Sequence, residues 1–421
     1  MTLTDRVTRL LRWSERFTGT DMVYLATGGF WVNLGSLTGT LFSFVLYVAF
    51  AHAVPKEVYG TYQYLLSIAA LVGSLTMTGM STAVAQAVAR GYDRTYEASL
   101  PVQFRWALVP LVGACLGALY YYVNGNASLA LGLLLIGLSL PITTTFNTYS
   151  ALLSGKKDFR RMFWYNFALN VPYYGLLIAT AFLFKNALAL LAVSLGVQAV
   201  MLALLHWRTK RTYPAHGPTD ESALRYGTHL SVMGVLSAVA NQLDNVLVFH
   251  FLGPVDLAIY AFATAIPDRA ASFLRFFSIT ALPKFAEKTD IEIRATIGPK
   301  LIKLAAFALL GAIVYMGIAP FFFALVFPHY SASVPFSALY ALSMLGVVAP
   351  VALAALTAQK HTRELYIYNS VTPVLQLMLQ YGGIVAWGLW GLVAAKTAST
   401  VLTSIIATVL YLRRPQAGPR S

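Results

Sequence analysis

Eight side chains that could form ion pairs or hydrogen bonds with a ligand lie inside long apolar runs of this sequence. In a membrane, an ionisable residue at such a position costs at least about 2.5 kcal/mol, so it needs a partner or a purpose. The candidate binding residues are Asn241, Asp244, Asp268, Arg269, Arg275, Lys396, Tyr173 and Tyr174.

The spacing of these residues predicts an ion pair. Asn241 and Asp244 are three positions apart, which places them on one face of a helix. A turn at Pro254 then sets Asp244 about five residues, or roughly 7 Å, outward of Arg269 on the next helix. We expect Arg269 to pair with Asp244 or Asp268 while facing a wet central cavity. The alternative is an ion-pair cluster that only locks the two helices together.

The other candidates have structural alternatives as well. Lys396 could line the cavity, but outward snorkelling of its long stem is the favoured alternative. Tyr173 and Tyr174, with Asn166 and Asn170, offer polar and aromatic surface to sugars. Hydrogen bonding between helices explains the same residues, and the sequence favours that reading.

The composition indicates an integral membrane protein. The 421 residues are 58% hydrophobic and 11% charged, against about 25% charged in a soluble domain. The net charge of +14 does not indicate a nucleic-acid binder, which would be rich in charges and poor in long apolar runs. One cysteine, Cys115, excludes an internal disulfide framework. No catalytic, metal-binding or phosphate-loop spacing is found, so we expect no enzyme, metal or cofactor.

About twelve apolar runs are long enough to cross a bilayer, which takes roughly 20 residues each. They lack the alternation of barrel strands, so the fold class is an all-α integral membrane protein with about twelve transmembrane helices. The runs lie near 30–53, 58–79, 103–123, 127–153, 163–184, 187–207, 229–252, 256–278, 300–326, 334–357, 364–386 and 388–411.

The basic residues predict the topology. Of the 30 lysines and arginines, 25 lie in alternate connections or in the two tails, and the opposite connections hold only Lys56 and Lys185. By the positive-inside rule both termini are cytoplasmic. Charges interrupt the apolar residues of 1–23, which predicts a basic amphipathic arm on the inner leaflet instead of a signal peptide.

An internal repeat predicts two similar halves. Stretches that begin near Leu46 and Val246 each contain a span, a turn opened by a proline (Pro55 or Pro254), and a second span, at an offset close to 198 residues. Paired halves are typical of alternating-access carriers; chance similarity of apolar sequence is the alternative. The predicted organisation is an arm at 1–23, six-helix bundles at 24–208 and 229–412, a cytoplasmic linker at 209–228 and a tail at 413–421.

Several motifs resemble a known family, the oligosaccharide flippases of the polysaccharide biosynthesis family (Wzx-type). Its larger superfamily also holds multidrug antiporters and the lipid II flippase. The matching segments are Leu236-Ser-Ala-Val-Ala-Asn-Gln-Leu-Asp244-Asn-Val-Leu-Val, Leu252-Gly-Pro254, Ile259-Tyr260-Ala-Phe, Ala281-Leu-Pro283-Lys-Phe285, Val58-Tyr-Gly60-Thr-Tyr62, Gly79-Met-Ser81 and Arg90-Gly91.

The resemblance implies a function. It implies a flippase with a central cationic cavity that moves a polyprenyl-pyrophosphate-linked oligosaccharide across a bacterial inner membrane, for O-antigen, capsule or exopolysaccharide. Arg269, Arg275 and Lys396 could neutralise the pyrophosphate. Some relatives carry a cation at the position of Asn245, which this chain lacks. Expected partners are membrane lipid, a polysaccharide polymerase and a chain-length regulator.

Two other functions stay open. A cation-coupled multidrug antiporter favours acidic residues in the first bundle, but spans 1–6 contain essentially no buried Asp or Glu. A non-transporting scaffold for polysaccharide assembly is the third hypothesis.

Overall fold

The structure is a computed structural model that describes the backbone of residues 22–279, 290–358 and 362–412. Side chains are described for 28–272, 297–357 and 363–412. Within these ranges the chain is helical, with short connections and no strand, which confirms the predicted all-α membrane fold class. The predicted tail, and all but the last two residues of the predicted arm, lie outside the described residues.

Two compact units divide the chain. The first contains the residues up to Ala53 and Ala69–Val235, and the second contains Val54–Ile68 and the residues from Leu236 onward. The predicted bundle boundaries, 24–208 and 229–412, remain predictions.

Ten helices lie between Met22 and Leu252. Two of them, α2 and α10, contribute residues to both units. The helices are α1 Met22–Ala53, α2 Lys56–Ser74, α3 Met80–Ala89, α4 Arg94–Trp106, α5 Leu108–Val123, α6 Ala127–Asn147, α7 Tyr149–Gly155, α8 Phe159–Leu183, α9 Ala187–Thr212 and α10 Glu221–Leu252.

The rest of the described chain belongs to the second unit. Its helices are α11 Pro254–Ile279, α12 Asp290–Val326, a 3₁₀ turn Pro328–Ser333, α13 Val334–Ala341, a second 3₁₀ turn Leu342–Val347, α14 Val348–Ala358 and α15 Thr362–Leu412.

The helices correspond to the twelve predicted spans. In the described part, nine helical segments are long and apolar enough to cross a bilayer. One of these is Arg363–Leu412, which leaves helical geometry at Trp387 and Gly388. A Cβ added at Gly391 would lie 1.9 Å from the Gly383 carbonyl oxygen. The chain therefore folds back there, and α15 supplies the last two predicted spans. The two spans outside the nine are α2 and α11, which carry more polar residues.

Side-chain caps explain where several helices begin. Asn, Asp and Ser are strong N-cap residues because their side chains accept hydrogen bonds from otherwise unpaired backbone amides. The Asn126 side chain accepts from the Leu129 amide (3.1 Å), and Asp158 accepts from the Arg161 amide (3.0 Å). Asp220 accepts from the Ala223 amide in the same way (3.1 Å). Each cap follows a polar connection, so the helix starts are local features of the sequence.

Each unit has its own apolar core. In the first unit α1 packs on α8, α5 on α6, and α3 on α7. In the second unit α15 packs on α14, and α13 contacts α11 and α12. Large apolar side chains on the outer faces are exposed, including Val123 at 76% and Leu325 at 82%. Such faces suit contact with lipid, because a soluble protein rarely exposes apolar surface so widely.

Candidate functional site

A buried ion pair lies at the centre of the second unit. Asp244 on α10 is 1% exposed, and its carboxylate accepts a hydrogen bond from the Lys396 ammonium on α15. The Tyr260 hydroxyl on α11 donates to the same carboxylate oxygen at 2.6 Å. Lys396 also donates to the Tyr260 oxygen at 2.8 Å. Three helices that are distant in sequence are therefore joined by one charged cluster.

A second carboxylate lies beside this cluster. The Tyr340 hydroxyl on α13 donates to Asp268 Oδ1 on α11 at 2.8 Å. The Lys396 nitrogen lies 5.3 Å from the centre of the Tyr340 ring and 5.2 Å from that of Tyr260. Both distances fall within cation–π range, which stabilises a desolvated ammonium. Lys396 therefore contacts a carboxylate, a phenol oxygen and two aromatic rings.

These residues border a cavity of about 530 Å³ within the second unit. Its polar lining combines amides, phenols and hydroxyls with one ammonium and one carboxylate. Cavities of this size commonly hold small ligands. The lining residues that bear on binding are Asn241, Asp268, Tyr340, Gln376, Lys396 and Thr400.

The charge of this cavity is not positive. Among its described lining residues, Lys396 is the cation and Asp268 the carboxylate, while Asp244 pairs with Lys396 from behind. Two carboxylates therefore accompany one ammonium. A further anion would have to compete with Asp244 for Lys396, so this cavity favours a neutral, hydroxyl-rich ligand over a pyrophosphate.

The first arm of α15 adds two amides on one helical face. Gln376 Nε2 donates to the Ala240 carbonyl on α10 at 3.1 Å, and its side chain also lines the cavity. Gln380, one turn further along, is fully buried. Neither its amide nitrogen nor its oxygen has a hydrogen-bond partner among the described residues. Buried polar groups are normally paired, by water where protein is absent.

The expected pairing of Arg269 is wrong. Asp244 pairs with Lys396, Asp268 accepts from Tyr340, and Arg269 is exposed and forms no ion pair with a described residue. Successive residues of a helix point about 100° apart. When Asp268 faces the cavity, Arg269 must therefore point elsewhere. Its contact with substrate remains a prediction, and the side chain of Arg275 lies outside the described residues.

The expected snorkelling of Lys396 is also wrong. Its ammonium points inward to Asp244, because that carboxylate would otherwise be buried without a countercharge. Removing one partner of such a pair costs about 3–5 kcal/mol. The structure thus brings together Asn241, Asp244, Asp268 and Lys396 in the second unit, and their role in binding substrate stays a prediction.

Tyr173 and Tyr174 belong to the first unit. Tyr174 on α8 stacks on Phe42 of α1, with ring centres 5.6 Å apart and planes 6° apart. Tyr173 meets Tyr174 edge to face at 5.1 Å. Nearby, Tyr149 donates to the Asn166 side chain at 3.3 Å. These contacts are helix packing, the alternative that the sequence favoured, and sugar binding by these tyrosines remains untested.

Sequence reasoning missed Tyr260, Tyr340 and Gln376 as site residues. Tyr260 lies inside a segment that resembles the family, but nothing in the sequence connects it to Asp244. For the amides a signal exists: Gln376 and Gln380 are four positions apart in an apolar run, the spacing that places two side chains on one helix face. Tyr340 has no comparable signal, since tyrosine is common in the helices of this chain.

Comparison with known proteins relates the whole chain to membrane transporters. The lipid II flippase MurJ in an inward closed conformation has a TM-score of 0.64 and 12% identity, covering 89% of this chain and 86% of that one. An inward-facing multidrug resistance MATE family transporter of the MOP superfamily has a TM-score of 0.57 and 14% identity, covering 88% and 93%. The Vibrio cholerae MATE transporter VcmN in its bent form has a TM-score of 0.56 and 14% identity, covering 92% and 95%. Among curated proteins, no relative matches.

The family comparison is more specific than these fold similarities. The family described as "Polysaccharide biosynthesis protein" matches residues 25–288, which is more than half of the chain. The match includes Asp244, Tyr260 and Asp268 but ends before Lys396. With many apolar helices and a polar cluster in the interior of one unit, this multi-pass membrane protein belongs to the polysaccharide biosynthesis protein family.

Proposed function

We propose that this protein is a flippase that moves a polyprenyl-pyrophosphate-linked oligosaccharide from the cytoplasmic to the outer leaflet by alternating access. The cavity of the second unit carries this proposal. It groups amide, phenol and hydroxyl side chains in a helical unit that is otherwise apolar. Sugars present the matching donors and acceptors around each ring.

The physical need for such a protein supports the proposal. An oligosaccharide that crossed a bilayer unaided would leave many hydroxyls without hydrogen bonds in hydrocarbon, at several kcal/mol for each group. A cavity that offers Asn241, Gln376 and Tyr340 replaces those bonds during transit. The lipid tail can remain in the bilayer throughout, so only the headgroup needs a polar path.

The test is translocation by the full-length protein in liposomes. A fluorescent lipid-linked oligosaccharide is supplied in the inner leaflet, and its arrival outside is followed by a membrane-impermeant quencher. We expect flux with the wild type and roughly three- to tenfold less with Tyr340→Phe, which removes one hydrogen bond in the cavity. Absence of flux in the wild type contradicts the flippase proposal.

Tyr315→Phe is the matched control. Tyr315 on α12 also forms a hydroxyl contact within the second unit, to Ser337 Oγ at 2.6 Å, but it is not among the residues that line the cavity. Its variant should transport at the wild-type rate. Equal flux in Tyr340→Phe and Tyr315→Phe removes this cavity from the transport path.

The cellular setting follows from the proposed substrate. We expect a bacterial inner membrane, both termini in the cytoplasm, and a role in O-antigen, capsule or exopolysaccharide assembly beside a polymerase and a chain-length regulator. The termini can be tested by accessibility of cysteines placed in the tails of a Cys115→Ala variant.

A second candidate function is a cation-coupled multidrug antiporter. The excess of carboxylates over ammonium groups around the cavity favours it, since Asp268 has Tyr340 as its donor and no printed cation. Efflux of a cationic dye from the same liposomes, dependent on a proton or sodium gradient and lost in Asp268→Asn, would support it. Flux of lipid-linked sugar without dye efflux excludes it.

A further inference from the structure

A groove in the first unit has a composition that differs from the cavity of the second unit. It has a volume of about 560 Å³ and lies between α3, α7 and the start of α8. Its described lining contains one cation and no carboxylate. The polar residues that line it are Ser81, Thr82, Gln86, Ser150, Ser154 and Lys157.

Four of these side chains have unused hydrogen-bonding groups. Ser150 donates to the Asn147 carbonyl at 2.8 Å. In contrast, Ser81, Thr82, Gln86 and Ser154 form no hydrogen bond with a described residue. Most other helical Ser and Thr hydroxyls of the described chain bond to a carbonyl one turn earlier, as Thr180 does to Leu176. The groove therefore concentrates free donors.

The turn after α7 fixes the position of the groove's lysine. The Asp158 amide bonds to the Leu153 carbonyl and the Lys157 amide to the Ser154 carbonyl, both at 3.0 Å. This is the arrangement that ends many helices with a left-handed residue, usually glycine. Here Lys157 takes that conformation, with φ at 59°. The backbone thus holds the lysine at the mouth of the groove.

The neighbouring cations have other contacts. Lys156 pairs with Asp93 at 2.5 Å, and Arg161 pairs with Asp158 at 3.4 Å. Arg160 lies over the ring of Trp31 at 5.9 Å. Of this four-cation cluster, only Lys157 lines the groove. The cluster occupies one of the strongly basic connections, on the side where an anionic headgroup first meets the protein.

We propose that this groove binds the phosphate oxygens of a lipid-linked anionic headgroup, and that the ligand is the pyrophosphate of the transported lipid. Lys157 supplies the charge, and the free hydroxyls and the Gln86 amide supply donors, which together form charge-assisted hydrogen bonds with phosphate. The assignment of the ligand rests on the proposed flippase function. An ordinary anionic phospholipid presents the same phosphate chemistry, so the test must separate the two.

Lys157→Gly is the informative variant. It removes the charge, and glycine adopts the left-handed conformation without strain, so the turn is retained. Lys185→Gly is the matched control, because Lys185 is also a left-handed lysine, with φ at 44°, and does not line the groove. Unchanged thermal unfolding of both purified variants verifies the fold.

Binding is measured on full-length protein in nanodiscs of zwitterionic lipid, with sugar-free polyprenyl pyrophosphate as the probe. We expect Lys157→Gly to weaken binding about tenfold, the loss of one charged hydrogen bond, and Lys185→Gly to bind as the wild type does. Equal affinity in all three proteins overturns the site.

A second arm uses phosphatidylglycerol as the probe. We expect weak binding that is insensitive to Lys157→Gly. An equal loss for both lipids overturns the assignment to the transported lipid and identifies an ordinary phospholipid site. Loss of pyrophosphate binding in Lys157→Gly together with no translocation by the wild type supports the site and overturns the flippase function, so the two proposals fail separately.

Discussion

The cavity of the second unit and the groove of the first have nearly equal volumes, about 530 and 560 Å³. Each has one lysine in its described lining. In the cavity, Lys396 is buried and paired with Asp244; in the groove, Lys157 is exposed and accompanied by hydroxyls. The comparison teaches that a lysine does not make a site cationic. The carboxylates around it decide whether its charge remains available to a ligand.

The largest expected effect breaks the cavity's charge balance. Lys396→Ala leaves the Asp244 carboxylate buried without a countercharge, which should lower the free energy of unfolding by about 3–5 kcal/mol. Thermal or chemical unfolding of the purified protein measures it. In the first unit, Lys156→Ala removes a more exposed pair with Asp93 and should cost about 0–1 kcal/mol.

A double variant serves as the control. Asp244→Asn with Lys396→Met removes both charges and should recover most of the stability, since paired neutral side chains replace many buried ion pairs without loss. Wild-type stability in Lys396→Ala alone would contradict the central role given to the pair.

The next effect alters the wall of the groove. A Cβ at Gly155 would lie 2.7 Å from Val88 Cβ and 2.8 Å from the Ala85 carbonyl. Gly155→Ala should therefore push α7 from α3, with a cost of about 1–3 kcal/mol in unfolding free energy, and weaken binding of polyprenyl pyrophosphate. Gly175→Ala on α8 meets no atom within 4 Å and is the control. Equal stability in the two variants would show that the helices are not closely packed there.

Salt should separate the two sites. Raising the salt concentration from 0.15 to 1 M shortens the Debye length from about 8 to about 3 Å. Polyprenyl pyrophosphate binding should weaken several-fold in the wild type and change less in Lys157→Gly. Binding of the free oligosaccharide, measured calorimetrically, should be insensitive to salt, because the cavity's lysine is already paired. A strong salt dependence of sugar binding would refute that contrast.

The smallest effect is a pH dependence of the first unit. Partial burial and the hydrogen bond that Tyr213 donates to Asp158 at 2.6 Å raise the pKa of this tyrosine to about 12. The stabilisation is present below the ordinary pKa of 10.0 and is lost as the pH rises through the folded value. Between pH 10 and 12 the wild type should therefore lose more thermal stability than Tyr213→Phe. Parallel curves for the two proteins would leave the hydrogen bond without a role.

The sequence predicted most of the fold. Helix formation in a membrane is required locally, since each backbone amide and carbonyl must be paired within its own segment. Run length and composition thus located twelve helices, and Asn126, Asp158 and Asp220 marked helix starts by their cap chemistry. The proline turn before α11 was predicted for the same reason.

The sequence could not predict the partners within the site. Asp244 and Lys396 are 152 positions apart, and their contact depends on the rotation of α10 and α15 about their axes. A rotation of one residue, about 100°, turns a side chain from the interior to the surface. Arg269 and Asp268 illustrate this, because adjacent positions in the sequence have different surroundings in the fold.

By itself, the sequence determined that this is a helical membrane protein, which charges are expensive to retain, and which family its motifs resemble. The tertiary structure alone decided that Lys396 neutralises Asp244, that Tyr340 donates to Asp268, and that Lys157 faces hydroxyls. The physical reason is that burial cost belongs to a residue type and can be read position by position. Its compensation requires two side chains to meet within hydrogen-bonding distance, which only the packing of helices distant in sequence provides.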